Sequence, residues 1–139
     1  MENLQNKLKA KKGYKILIIN SPFDSKHIFQ DYTKYDIITK PDKECDLVLL
    51  FVKDCKDLSS QSKHAISSLK NYGLLWIAYP KKTSGIKTDL NRDQGWDPLY
   101  KAGFGPVSQI AIDETWSALR FRPEAQISRK KDSVILKRK

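Results

Sequence analysis

The chain has 139 residues, 40% of them apolar, and carries a net charge of +10. That length suits one domain and is short for two, and the apolar share excludes wholesale disorder. No apolar run approaches the roughly 20 residues that span a bilayer, and the lysine-rich start after Met1-Glu2-Asn3 lacks the apolar stretch of a secretory signal.

Leu4 and Leu8, four apart, predict a short helix laid on the body, broken by Gly13. "YKILIIN" (14–20) is rich in Ile and predicts a buried parallel strand. Ser21 and Pro22 then open a helix, as N-cap and first-turn proline, with Phe23, Ile28, Phe29 and Tyr32 as its apolar face. "YDIIT" (35–39) is a shorter strand, ended by the turn Lys40-Pro41-Asp42. "DLVLLFV" (46–52) is the most apolar strand and predicts a central position. Over 58–72 the residues Leu58, Ala65, Ile66, Leu69 and Tyr72 make one helical stripe, with Gly73 placed to end it.

"LLWIAYP" (74–80) predicts a strand buried on both faces. A polar loop leads to a helix near 92–102, with Trp96, Leu99 and Tyr100 inward and Gly103 at its end. "VSQIAID" (107–113) and "WSALRFR" (116–122) are joined only by Glu114-Thr115, which demands an antiparallel hairpin. "SVILK" (133–137) is a marginal last strand. The expected organisation is a single α/β domain over 1–123 and a basic tail over 124–139. Repeated crossovers predict a three-layer Rossmann-like sheet, mostly parallel, with helices on both faces and a C-terminal antiparallel hairpin.

The helix before "GLLWIAYPK", the helix ending in "AGF" and the hairpin "PVSQIAIDETWSALRF" together resemble the last half of the class I methyltransferases. The resemblance implies strand order 2-1-3-4-6-5, with 116–122 inserted between 74–80 and 107–113. The segments Asn20–Pro22, Leu74–Lys81, Lys87–Asp93 and Ile112–Arg122 also resemble a family of small bacterial proteins catalogued as a domain of unknown function, which implies no activity.

Cofactor sites of the methyltransferase fold use a glycine-rich turn after the first strand, so that the backbone can approach the ligand. Here that turn is "INSPFD", without glycine, and Pro22 removes a backbone N–H. The second strand ends "IITKPD", with Lys40 where an acidic residue would meet ribose hydroxyls. The expectation is therefore a small, non-catalytic Rossmann-like domain, with no cofactor and no useful binding of S-adenosylmethionine. One alternative is an S-adenosylmethionine-dependent enzyme with a non-standard cofactor loop. Another is a nucleic-acid accessory protein. Its warrant is that the segments 1–13 and 123–139 hold +7 of the +10 charge, which would attract phosphates without sequence preference.

Ligands of open α/β sheets sit beyond the carboxyl ends of the parallel strands. Strand direction predicts a rim there made of Lys81, Lys82, Asp89, Arg92, Asp113 and Trp116. Cations and an indole on one rim suit a small anionic or planar ligand. Lys81–Asp113 and Arg92–Asp89 could equally be structural pairs. Cys45 and Cys55 have no CxxC or metal spacing, and His27 and His64 lack partners at ligand spacing. They are expected to be ordinary thiols and surface histidines, in a reducing cytoplasm. No hydroxyl among Ser21, Thr88 and Ser117 has an evident base.

Overall fold

The computed structural model describes residues 4–22, 28, 29 and 32–127. The helix expected after Ser21-Pro22 falls largely outside them. So do the strand expected over 133–137 and most of the C-terminal basic segment. Six strands form one sheet: β1 (Lys15–Ile19), β2 (Asp36–Ile38), β3 (Cys45–Phe51), β4 (Leu69–Pro80), β5 (Phe104–Ala111) and β6 (Trp116–Pro123). Their order is β2-β1-β3-β4-β6-β5, as expected. The pairs among β1 to β4 are parallel, whereas β6 runs antiparallel to both β4 and β5. The fold is a mixed, Rossmann-like α/β sheet with a reversed hairpin at its end. No helix among the described residues is long and apolar enough to cross a membrane.

The apolar runs become strands because both faces of the sheet are covered. Alternate side chains enter opposite cores. Leu17, Ile19, Val48, Leu50, Leu75 and Ile77 face one side, with Leu58 and Ala65 of α2 (Cys55–Ser68) and Leu99 of α3 (Asp97–Lys101). Ile16, Ile18, Leu47, Leu49, Phe51 and Trp76 face the other, with Leu8, Ile28 and Phe29. The short helix α1 (Leu4–Lys7) delivers Leu8, whose carbonyl accepts from the Trp76 indole at 3.0 Å. A fully buried indole N–H thus finds its acceptor 68 residues away.

The junction between α2 and β4 differs from expectation. α2 ends at Ser68, and β4 begins at Leu69 rather than Leu74. The hydroxyls of Ser67 and Ser68 both donate back to the His64 carbonyl, which weakens the last turn. Leu69 then pairs with Cys45, and the register shifts before Leu74 pairs with Leu47. Gly73 is therefore not a helix cap. It lies where the strand irregularity brings the backbone close, and a Cβ there would stand 3.0 Å from the Cys45 carbonyl oxygen. Tyr72, expected on the inward stripe, is 68% exposed and left-handed at φ 64°.

The helix expected over 92–102 contracts to five residues, and Tyr100 is exposed. Asn91 accounts for the contraction, because its side-chain oxygen accepts from the Asp93 N–H at 2.8 Å and holds a turn instead of a first helical turn. Trp96 and Leu99 are fully buried as expected, and Gly103 follows at φ 87°. The first residues of the expected tail are docked. Glu124 N–H donates to the Gly103 carbonyl at 2.8 Å, and Gln126 reaches Asn71 at 3.0 Å.

Asp46 ties the amino edge together. One carboxylate oxygen accepts from the Lys15 N–H at 2.8 Å, at the start of β1, and the other meets Lys70 Nζ at 2.6 Å, at the start of β4. Burial opposes its ionisation, but the bonds from Lys70 and Lys15 outweigh that and hold its pKa below the ordinary carboxylate value. Asp46→Ala should cost about 1–2 kcal/mol in a urea melt at neutral pH, chiefly through the lost acceptor of the Lys15 N–H. The Lys70 pair adds little, because that side chain is 43% exposed. A depressed folded-state pKa stabilises above the unfolded pKa, and that contribution is lost as pH falls through the folded one. The gap between wild type and variant should therefore close in acid; a gap that persists there would refute the assignment.

Candidate functional site

The carboxyl edge begins at the turn after β1. Asn20 is left-handed there, at φ 60°. That conformation favours glycine, and Asn is among the few other residues that adopt it readily. The turn thus has the backbone form that the missing glycine would have provided. Beyond it, a cavity of about 450 Å³ opens between the ends of β1 and β3. Asn20, Phe51, Lys53, Asp57, Gln61 and Trp116 line it. Phe51 and Trp116 meet edge to face with centroids 5.2 Å apart and form its aromatic wall. Asp57 lies in the first turn of α2, where the Asp54 side chain accepts from its N–H and its own carboxylate accepts from the Lys53 N–H at 3.0 Å.

Asp42, the acidic residue after β2, is on the wrong edge for a ribose. β2 pairs only with the amino-terminal half of β1, and Asp42 meets Lys15 Nζ at 2.9 Å. Asp57 is the carboxylate that this cavity does contain.

The six rim residues expected from strand direction do not form one cluster. Lys81, Lys82 and Arg92 share a second cavity of about 560 Å³, beside Tyr79, Gln109 and Ser117. Trp116 belongs to the first cavity instead. It is the neighbour of Ser117 along β6, and successive side chains of a strand point to opposite faces. Asp113 pairs with neither lysine; its Oδ1 accepts from the N–H groups of Thr115 and Trp116, both at 2.8 Å. Asp89 turns away to cap α2, accepting from the Cys55 N–H at 2.8 Å, and this bond is the main cause of its lowered pKa. Arg92 meets Asp93 at 3.3 Å rather than Asp89.

Ser117 and Tyr79 were not on the expected rim. They face each other across β4 and β6, a pairing visible only once the register is known. Gln109 Nε2 donates to the Tyr79 hydroxyl at 2.8 Å. Burial raises the Tyr79 pKa and keeps the phenol protonated.

No protein-family model matches the chain, and no curated protein matches it. Solved structures do. A ribosomal protein L11 methylase from Lactobacillus delbrueckii subsp. bulgaricus superposes with a TM-score of 0.54 at 9% identity, over 86% of this chain and 76% of that one. A DhpI–SAH complex gives 0.57 at 11% identity, over 86% and 82%. A putative type 11 methyltransferase from Sulfolobus solfataricus gives 0.53 at 13%, over 86% and 89%. The likeness shows a class I methyltransferase-like fold. Two of these neighbours are named as a methylase and a putative methyltransferase, and this likeness overturns the expectation of a non-catalytic domain as the leading reading. That expectation rested on the missing glycine and on Lys40 standing where an acidic residue would follow β2; Asn20 supplies the left-handed turn without a glycine.

Two measurements check this geometry. Burial first, then the hydrogen bond and charge of Asp89, push the Cys55 thiol up to about 11. At pH 8 in the native protein it should therefore alkylate at least about tenfold more slowly than in urea; equal rates would contradict the packing around it. Asp113→Ala should cost only about 1 kcal/mol in a urea melt, the scale of exposed turn hydrogen bonds. A loss of several kcal/mol would mean that Asp113 has a buried ionic partner after all.

Proposed function

We infer that the chain is an S-adenosylmethionine-dependent methyltransferase with a non-standard first turn. The observation that carries this is the position of the reversed strand. With β6 between β4 and β5, Trp116 comes to the carboxyl edge and closes, with Phe51, an aromatic-walled cavity next to the Asn20 turn. Structures of this fold named as SAH and SAM complexes support the same reading.

The residues present fit a nucleoside cofactor. Phe51 and Trp116 offer an apolar, polarisable wall to a planar base, Asp57 and Gln61 offer partners for hydroxyls and amino groups, and the Asn20 turn allows close backbone approach. S-adenosylmethionine, when bound, supplies a methyl group activated by its sulfonium. The chain's own contribution is then orientation and exclusion of water, which can lower a barrier by several kcal/mol without a dedicated base. The α2 cap holds Asp57 in place through Asp54. We take the setting to be a bacterial cytoplasm, on the strength of the resemblance of the Leu74–Lys81 and Ile112–Arg122 segments and of two free thiols.

Calorimetry with S-adenosylhomocysteine is the test. Saturable binding in the micromolar range, roughly −7 to −8 kcal/mol, is expected. Asp57→Asn keeps an acceptor for Lys53 but loses the charge, and should weaken binding about tenfold, the scale of one charged hydrogen bond. No saturable heat at millimolar ligand would overturn the inference.

A further inference from the structure

The second cavity has a chemistry of its own. Ser117 is 8% exposed and lines it, yet its hydroxyl has no partner among the described residues. Such a group costs free energy unless something outside the chain satisfies it. Across the strand pair, the Tyr79 hydroxyl accepts from Gln109, and its own proton has no hydrogen-bond acceptor among the described residues. Lys81 and Lys82 line the same cavity and make no ion pair among the described residues. Among the described residues Arg92 is held only by the exposed Asp93. The lining therefore brings two buried hydroxyls and the cations Lys81, Lys82 and Arg92 together with one carboxylate, Asp93, which Arg92 already pairs, and the amides of Asn91, Gln94 and Gln109. Simple structural pairing would leave neither the hydroxyls nor the lysines open.

We propose that this cavity binds a small organic oxyanion, with Ser117 and Tyr79 donating to its oxygens and Lys81 and Lys82 neutralising its charge. Hydroxyl donors fix the oxygens by geometry, while lysines act as point charges. A cavity of about 560 Å³ exceeds a bare phosphate or carboxylate, so the anionic group belongs to a larger polar molecule. The site opens on the face of β6 opposite to Trp116, so it is separate from the nucleoside cavity and stands whether or not the chain transfers methyl groups.

The probes are inorganic pyrophosphate and citrate, titrated by calorimetry at constant ionic strength so that charge screening stays fixed. One of them should bind saturably, and which one does separates phosphate from carboxylate. Ser117→Ala should weaken that binding at least tenfold, and so should Lys81→Ala with Lys82→Ala. Without ligand, Ser117→Ala should melt at the same temperature as wild type or higher, because the lost hydroxyl had no partner. No saturable binding of either probe overturns the proposal. So does binding that the variants leave unchanged. A ligand-free Ser117→Ala that melts clearly lower would also overturn it, since the hydroxyl would then have a structural partner. Binding of S-adenosylhomocysteine, measured on the same samples, reports on the other cavity independently.

Discussion

The reversed strand β6 is the constraint on which the carboxyl edge depends. It is hydrogen-bonded on both sides, to β4 and to β5, so neither of its backbone edges is open. Trp116, Ser117, Ala118, Leu119 and Phe121 along it are all buried. A strand covered on both edges and both faces has little freedom to slip, because a shift of one residue would exchange every side chain between the two cores. Trp116 and Ser117 are therefore delivered to the carboxyl edge on opposite faces. That alternation divides the edge into two cavities, one aromatic and one rich in hydroxyls and cations.

Several charges of that edge have structural work to do. Asp89 caps α2 across 34 residues, and Cys55 donates its thiol proton to the carbonyls of Asp89 and Gly95. Gly95 is left-handed at φ 98°, and a Cβ there would collide with Leu90 and the Cys55 sulfur. The loop after β4 is thus clamped to the start of α2 through backbone groups and one carboxylate. Trp96 anchors its far end, with its indole N–H on the Asn91 carbonyl at 2.8 Å and its ring against Tyr79 at 5.3 Å. Asp113 shapes the hairpin turn, and Lys81 N–H donates to the Thr115 carbonyl at 2.8 Å, joining that turn to the end of β4. With these carboxylates so engaged, Lys81 and Lys82 line the second cavity without ionic partners among the described residues.

Much of this was legible in the residues. The apolar runs at 14–20, 46–52 and 74–80 carry their own instruction, since only a sheet buried on both faces can use unbroken Ile, Leu and Val. The two-residue link Glu114-Thr115 leaves no room for a crossover, so the last strand had to return antiparallel. The resemblance of the C-terminal half to methyltransferases then carried the strand order.

Side-chain pairing is where the sequence stopped being informative. A carboxylate such as Asp113 looks the same whether it meets a lysine or two backbone N–H groups, and the choice depends on turn geometry at the ångström scale. Asn20 shows the converse, since a turn without glycine can still be left-handed when the surrounding sheet requires it. Gly73 could have ended a helix, but the pairing of Leu69 with Cys45 claimed the preceding residues for β4. By itself the sequence determined the strands and the reversed hairpin, because burial periodicity and link length act locally; the resemblance supplied the strand order, and the general rule for open α/β sheets pointed to the carboxyl edge. Only the tertiary structure decided which polar groups on that edge are consumed by the scaffold and which remain open, because hydrogen bonds are short-ranged and are settled by the final register.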